Sequence, residues 1–219
     1  MDARVKEHLG DRSPNCASAT EVREAMDDRE RWNQRYRDGS HRGAGPHPWA
    51  VEVADALPRR GRALDLAGGV GALAIWLAQR GLEVTLADVS EVALDLARER
   101  ASGSGVSLHL SQVDLMNRAE LDALGDGWSL VCCTNYFQPD VFPWIAQRLL
   151  PGGLLLFAQP SLQNLERHAR PSARFLVDPL RLDPLLDGLL VLERFEGWTP
   201  GGIHELRLLA RKASNLWTR

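Results

Sequence analysis

The sequence predicts a single α/β domain built on a doubly wound, mainly parallel sheet. Three observations lead there. Strand-length apolar runs alternate with helix-length amphipathic segments from Arg62 to Phe157, the pattern of repeated βαβ units. The first strand runs directly into a glycine-rich turn and a helix, in "RALDLAGGVGALAIW". The chain then closes with "LLVLERFEGW" and "HELRLLARK", joined by "TPGGI", a link so short that the two strands must be antiparallel neighbours.

Taken in order, residues 1–19 read as a flexible polar tail. Residues 20–48 read as a charged helix, "TEVREAMDDRERWNQRY", with Thr20 as candidate N-cap, followed by a Gly/Pro-rich loop. Trp32 and Tyr36 lie four apart, on one face of that helix. Residues 49–219 form the main domain. Within it "VEVADALP" reads as helix and "RALDLA" as strand, and "GALAIWLAQRG" is a helix stopped by Gly81. "EVTLADV" is a strand, "SEVALDLARERA" a helix capped by Ser90, and "VSLHLSQVDL" a strand overrunning into a loop. "RAELDAL" is a short helix, "WSLVCCTNY" a strand, "DVFPWIAQRLLPGG" a helix and "LLLFAQP" a strand. "DPLRLDPLLDG" is a short helix broken near Pro184, and the final hairpin brings the strands to seven.

Composition narrows the function. The 219 residues are 44% hydrophobic and 25% charged, ordinary for a globular domain with its own core. A net charge of −3 gives no basic field for nucleic acid or anionic lipid. The absence of a signal-like segment or a membrane-length apolar run makes the cytoplasm the expected location, with no membrane partner. The three cysteines have no ligand or disulfide spacing, so no metal is expected. Cys132 and Cys133 should point to opposite faces of a strand and pack in the core.

The run Gly69-Val70-Gly71-Ala72-Leu73-Ala74 fits the dinucleotide pattern G-x-G-x-x-G/A. Such a turn exposes backbone N–H groups and a positive helix end. Three acids sharpen the picture, each at the carboxyl end of a successive strand, where open α/β sheets bind ligands. Asp65 is a buried carboxylate that accepts from the loop amides or orients a cationic amine through water. Asp88 suits a pair of ribose hydroxyls, and Asp114 an exocyclic amine of adenine. Helix capping for Asp88 and a solvated turn for Asp114 are the plain alternatives.

Together "LDLAGGVG", "LADVS", "VDL", "WSLVCCTNYF" and "LLPGGLLLFAQP" resemble the class I S-adenosylmethionine-dependent methyltransferases, over roughly residues 30–212. The resemblance implies a Rossmann-like seven-stranded fold and S-adenosylmethionine as cofactor. It implies that Ala67, Gly68, Gly69 and Gly71 pass beneath the methionyl and ribose parts, with Ala67 where the family commonly has glycine. It implies Asp88 on the ribose, Val89 on the adenine face, Asp114 and the Leu115 amide at the adenine edge, and Thr134 near the amino-acid end. "RWNQRY" with its Gly/Pro loop looks like the tellurite-resistance and thiopurine-type branch, in which Trp32 and Tyr36 would form a lid over the sulfonium. The alternative is that they only pin the helix.

"NYFQPDVFPWI" departs from the Asn-Pro-Pro-Tyr type of nucleobase enzymes, so the expected acceptor is a small molecule with an S, N, O or metalloid nucleophile. Tyr136 is the first candidate base or orienter, beside Asn135; Gln159, His168 and Arg170 are candidates for the substrate wall. His41 and His47 sit in the N-terminal loop. Two other functions stay open. A chain that binds the cofactor for other chemistry, such as cyclising its aminobutyryl chain, would share these motifs. A nicotinamide reductase would use Gly69, Gly71 and Asp88 but leaves Asp65, Asp114 and the hairpin without a role. The assembly is expected to be a monomer or a homodimer.

Overall fold

A computed structural model describes residues 27–39 and 45–214. The expected tail, the Thr20 cap, Cys16 and His41 lie outside the described residues. Helix α1 spans Asp28–Arg37 and α2 spans Pro48–Glu52. The parallel core follows as β1 (Arg62–Leu66), α3 (Ala72–Gln79), β2 (Glu83–Asp88), α4 (Glu91–Gly103) and β3 (His109–Gln112). It continues as α5 (Arg118–Asp122), β4 (Trp128–Thr134), α6 (Val141–Arg148) and β5 (Leu149–Pro160). Short 3-10 turns and α7 (Pro179–Leu182) fill the segment before the closing strands β6 (Leu189–Trp198) and β7 (His204–Lys212).

The seven strands run in the order β3-β2-β1-β4-β5-β7-β6. The first five are parallel, and β7 slots antiparallel between β5 and β6. The expected fold class is therefore the observed one, with the hairpin antiparallel. Strand order reverses between β1 and β4, and in open sheets the crevice at that switch is where ligands bind.

Alternation along each strand builds a core on both sheet faces. One face carries Leu64, Leu66, Val131, Cys133 and Phe157 against Phe142, Trp144 and Ile145 of α6. The other carries Ala63, Leu86, Leu130, Cys132 and Leu156 against α2, α3 and α4. Each large side chain so buried contributes roughly 1.5–3 kcal/mol. The two cysteines divide between the faces, as period-2 geometry demands.

Three boundaries differ from the sequence reading. The helix expected over "VEVADALP" starts earlier, with Pro48 at its first turn and His47 Nδ1 accepting from the Trp49 N–H, and it stops at Glu52. Strand β3 ends at Gln112, so Asp114 lies beyond it in a turn rather than at its end. Helix α6 ends at Arg148, and "LLPGG" joins β5, with Leu149 pairing to Trp128. Helix α1 is described only from Asp28 onward. Among the described residues no helix is long and apolar enough to cross a membrane, and no cluster of three His, Cys, Asp or Glu could hold a metal.

Candidate functional site

A cavity of about 390 Å³ opens over the carboxyl ends of β1, β2 and β4. The turn from β1 into α3 forms its floor, and its shape requires glycine. Gly69 and Gly71 have φ of +55° and +76°, and Ala67, a non-glycine, is held at +52°. A Cβ on Gly68 would lie 2.7 Å from Asp65 Oδ2, and one on Gly69 would lie 2.6 Å from the Tyr36 hydroxyl. Gly71 stands behind the cavity as the N-cap of α3, packed toward Ala97 and Leu86. Ala67 thus occupies a left-handed position at a cost of order 1–3 kcal/mol, and its neighbours hold it there.

Two carboxylates face the floor. Asp88 is oriented by two amides: Oδ2 accepts from the Gly69 N–H and Oδ1 from the Ser90 N–H, both at 2.9 Å. Burial raises its pKa, and the Ser90, Gly69 and Val89 amides oppose the rise. The loop amide that sequence reasoning offered to Asp65 is therefore spent on Asp88. Asp65, 1% exposed, has no donor in full hydrogen-bond geometry on either oxygen among the described residues, and the Ala74 N–H acts on it only from outside that geometry. Burial, then the Asp88 charge, push its pKa up to about 7, and the Ala74 amide offsets only part of this.

Helix α1 closes one side. Asn33 Oδ1 accepts from the Ser90 hydroxyl at 2.7 Å, which fixes α1 across the start of α4, while Ser90 Oγ caps α4 by accepting from Ala93 N–H. Trp32 and Tyr36 stack on each other with ring centroids 5.9 Å apart, and both line the cavity. Arg35 sits over Trp32 at 4.9 Å. Pinning and lining thus coexist: Asn33 pins the helix, and the two aromatics face the cavity.

The opposite rim comes from β2, the β3 turn and β4. Val89, Asp114, Leu115, Thr134, Asn135 and Tyr136 all line the cavity. Asp114 Oδ1 accepts from the Met116 N–H, so one oxygen is committed to its turn. Asn135 is held at φ +59° by its N–H bond to the Ala158 carbonyl. The Tyr136 carbonyl accepts from the Cys133 thiol at 3.3 Å. Burial raises the Tyr136 phenol pKa above its usual range, with Cys133, Asp114, Asp28 and Asp88 adding to the rise. Burial thus favours the protonated phenol, the form in which Tyr136 donates a hydrogen bond.

The three substrate-wall candidates lie elsewhere. His168 donates from Nε2 to the Gly202 carbonyl at 2.7 Å, so its segment folds against the β6–β7 turn. Arg170 lines no part of the cavity; its carbonyl accepts from Asn164. Gln159 is buried in β5, donating to the Phe175 carbonyl, and its Oε1 has no partner among the described residues.

The front wall contains residues the motifs do not reveal. Asp28 and the stretch 45–48 line the cavity. His47 Nε2 lies 3.6 Å from Glu205, Glu205 accepts from Arg207 Nε at 2.9 Å, and Arg207 reaches Glu52 at 2.9 Å. Burial alone would raise the Glu205 pKa, but His47 and Arg207 bring it below the usual glutamate value. Both His47 nitrogens are thus turned toward the chain's own groups, Nδ1 to the Trp49 N–H and Nε2 to Glu205. The sequence signal was faint: alternating charges in "HELRLLARK" read equally well as a solvated face.

Residues 63–153 match the family described as methyltransferase domain. Among curated proteins the chain is similar to YqeM of Bacillus subtilis, named as a methyltransferase, with 36% identity over 116 residues. That match takes in 50% of this chain and 46% of YqeM, so the chain spans under half the length of this relative. Among solved structures the fold is similar to magnesium protoporphyrin IX methyltransferase from Synechocystis, with a TM-score of 0.64 at 20% identity over 86% of this chain and 99% of that one. It is also similar to TehB from Haemophilus influenzae, with a TM-score of 0.63 at 17% identity over 82% and 67%. The stretch that matches the methyltransferase-domain family, residues 63–153, holds the glycine turn and both floor carboxylates, and the fold around it is the Rossmann-like fold of these solved methyltransferases.

Proposed function

We propose that the chain binds S-adenosylmethionine in this cavity and transfers its methyl group to a small-molecule nucleophile. The unlike state of the two floor acids carries this reading. A buried carboxylate with no donor is costly, and a cationic amine is the partner that relieves it. The ammonium at the amino-acid end of the cofactor supplies that cation to Asp65. Asp88, oriented by two amides, keeps lone pairs for a pair of ribose hydroxyls. The Gly68–Gly69 turn lets backbone come close to a ligand where any Cβ would collide. Val89 would pack on the adenine, Asp114 and the Leu115 amide would meet its edge, and Thr134 would lie toward the amino-acid end; all four line the cavity. The donor set fits the cofactor.

When bound, the cofactor supplies a methyl group on a positively charged sulfur, ready for in-line displacement. The chain contributes position and dryness. Asn135 and the protonated Tyr136 hold the acceptor. The stacked Trp32 and Tyr36 present aromatic faces to the cationic sulfur. With the Tyr136 phenol favoured in its protonated form and both His47 nitrogens turned to the chain's own groups, neither is a ready base. This favours an acceptor already nucleophilic at neutral pH, such as a thiolate, a selenolate or a metalloid oxyanion. The aromatic helix and the likeness to TehB support the tellurite-resistance and thiopurine-type branch. The net charge of −3 supports a small molecule over nucleic acid.

Calorimetric titration with S-adenosylhomocysteine, beside NADH and NADPH, tests the reading. Micromolar binding of S-adenosylhomocysteine alone is expected, followed by methyl transfer in a screen of thiol, amine and metalloid acceptors. Binding of a nicotinamide nucleotide instead would overturn it.

A further inference from the structure

The two edges of the sheet are finished differently. Strand β3 is four residues long, with exposed His109 and Gln112, a short polar edge of the kind that discourages pairing. Strand β6 is ten residues long and lies at the other end of the strand order, where no described residue pairs with its outer side. It exposes Leu190, Val191, Leu192 and Phe195 at 54, 39, 41 and 38%. A long apolar edge is a template for another strand.

The charges on β6 say which strand. A bulge falls between Val191 and Glu193, and from Glu193 to Trp198 the ladder is regular. A two-fold axis normal to the sheet pairs residues of the same face, so the axis must pass through one residue. Centring on Glu193, Arg194 or Glu196 sets a charge against its own copy. Centring on Phe195 sets Arg194 against Glu196 of the second copy, and Glu196 against its Arg194. The phenyl rings then meet on the axis, and Glu193 faces the bare Gly197. Arg194 and Glu196 lie on the sheet face of Leu208 and Leu206, while Phe195 lies on the opposite face with Arg207, 5.3 Å from its ring. Asp183 bonds Arg194 and so helps fix the guanidinium beside the edge.

We propose that β6 pairs antiparallel with β6 of a second copy of this chain, centred on Phe195, to give a continuous fourteen-stranded sheet across an isologous interface. The cavity opens over the carboxyl ends of β1, β2 and β4, with β5 and β7 between it and β6, so the proposal does not rest on what the cavity binds.

Sedimentation or light scattering over a dilution series, with hydrogen exchange, tests this on the full chain. The expected result is a species of twice 24.3 kDa that dissociates on dilution, with β6 amides protected only in the dimer. Arg194→Glu and Glu196→Arg should each weaken the dimer by roughly tenfold, since each turns two attractive cross-strand pairs repulsive. The double reversal Arg194→Glu/Glu196→Arg should restore it; because Arg194 also lies 3.8 Å from Glu196 of its own chain, thermal melts of each variant as monomer separate loss of that internal pair from loss of the dimer. A monomer at all concentrations overturns the proposal, as does a dimer indifferent to both reversals. Protection of β6 amides in a monomer would show the edge covered by the chain's own segment and would equally overturn it. The wild-type dilution series decides even if a variant fails to fold.

Discussion

Asp65 and Asp88 stand at the carboxyl ends of adjacent strands, equally sunk in the domain, and the chain treats them in opposite ways. Asp88 receives the Gly69 and Ser90 amides, while Asp65 receives no bonded donor. One end of the site is thus built in advance and the other is left wanting a cation. The first gives geometry without ligand. The second stores an electrostatic demand that only a ligand meets, so binding strength and resting stability are set against each other.

Asp65→Asn should break the comparison most strongly. The unfolded carboxyl titrates near 3.8 and the folded one near 7, so between these values the native state keeps a proton the unfolded chain has released. Wild-type stability therefore falls as pH rises from about 4 to about 7 and is level above, a loss of up to ~4 kcal/mol. Asparagine has no such proton. Thermal melts should show the variant more stable than wild type at pH 8, with the gap closing at pH 4, while its affinity for S-adenosylhomocysteine drops. Equal melting at pH 8 would mean that Asp65 has found a donor.

Asp88→Ala attacks the finished end. Losing the charged hydrogen bonds should weaken S-adenosylhomocysteine binding by about 1–3 kcal/mol in calorimetry. Unchanged affinity would take Asp88 out of the site. The smallest effect is expected from Tyr136→Phe, which should lower turnover several-fold through lost orientation. Affinity for S-adenosylhomocysteine should stay near wild type, and the pH–rate profile should keep its shape because no base is removed. A lost alkaline or acid limb would restore Tyr136 as an acid–base group.

The same contrast explains what could be read from the chain alone. Asp65, Gly68, Gly69, Asp88 and Thr134 are fixed by strand direction and by the one place where the sheet order reverses, both local or topological facts. Their convergence in one cavity follows from the βαβ repeat. His168 and Arg170 were beyond such reasoning, because the segment after β5 chose the β6–β7 turn over the cavity through contacts such as His168 with Gly202. Tyr136 was legible as a residue after β4, but the burial and surrounding acids that bear on its protonation were not, because they come from distant parts of the chain. His47, Glu205 and Arg207 form their chain only when residues more than 150 positions apart meet across β7.

That last chain has a consequence for synthesis. The front wall, residues 45–48, hangs from α2, and α2 is anchored by Arg207 to Glu52 and by the Trp49 indole N–H to the Leu208 carbonyl. Every motif of the cavity floor leaves the ribosome before the strand that holds this wall is made. A nascent chain ending near residue 153 carries the floor residues without the front wall, so on the proposed reading full ligand affinity would arrive only with β7, and a cofactor present during translation would reward the completed chain rather than the emerging one.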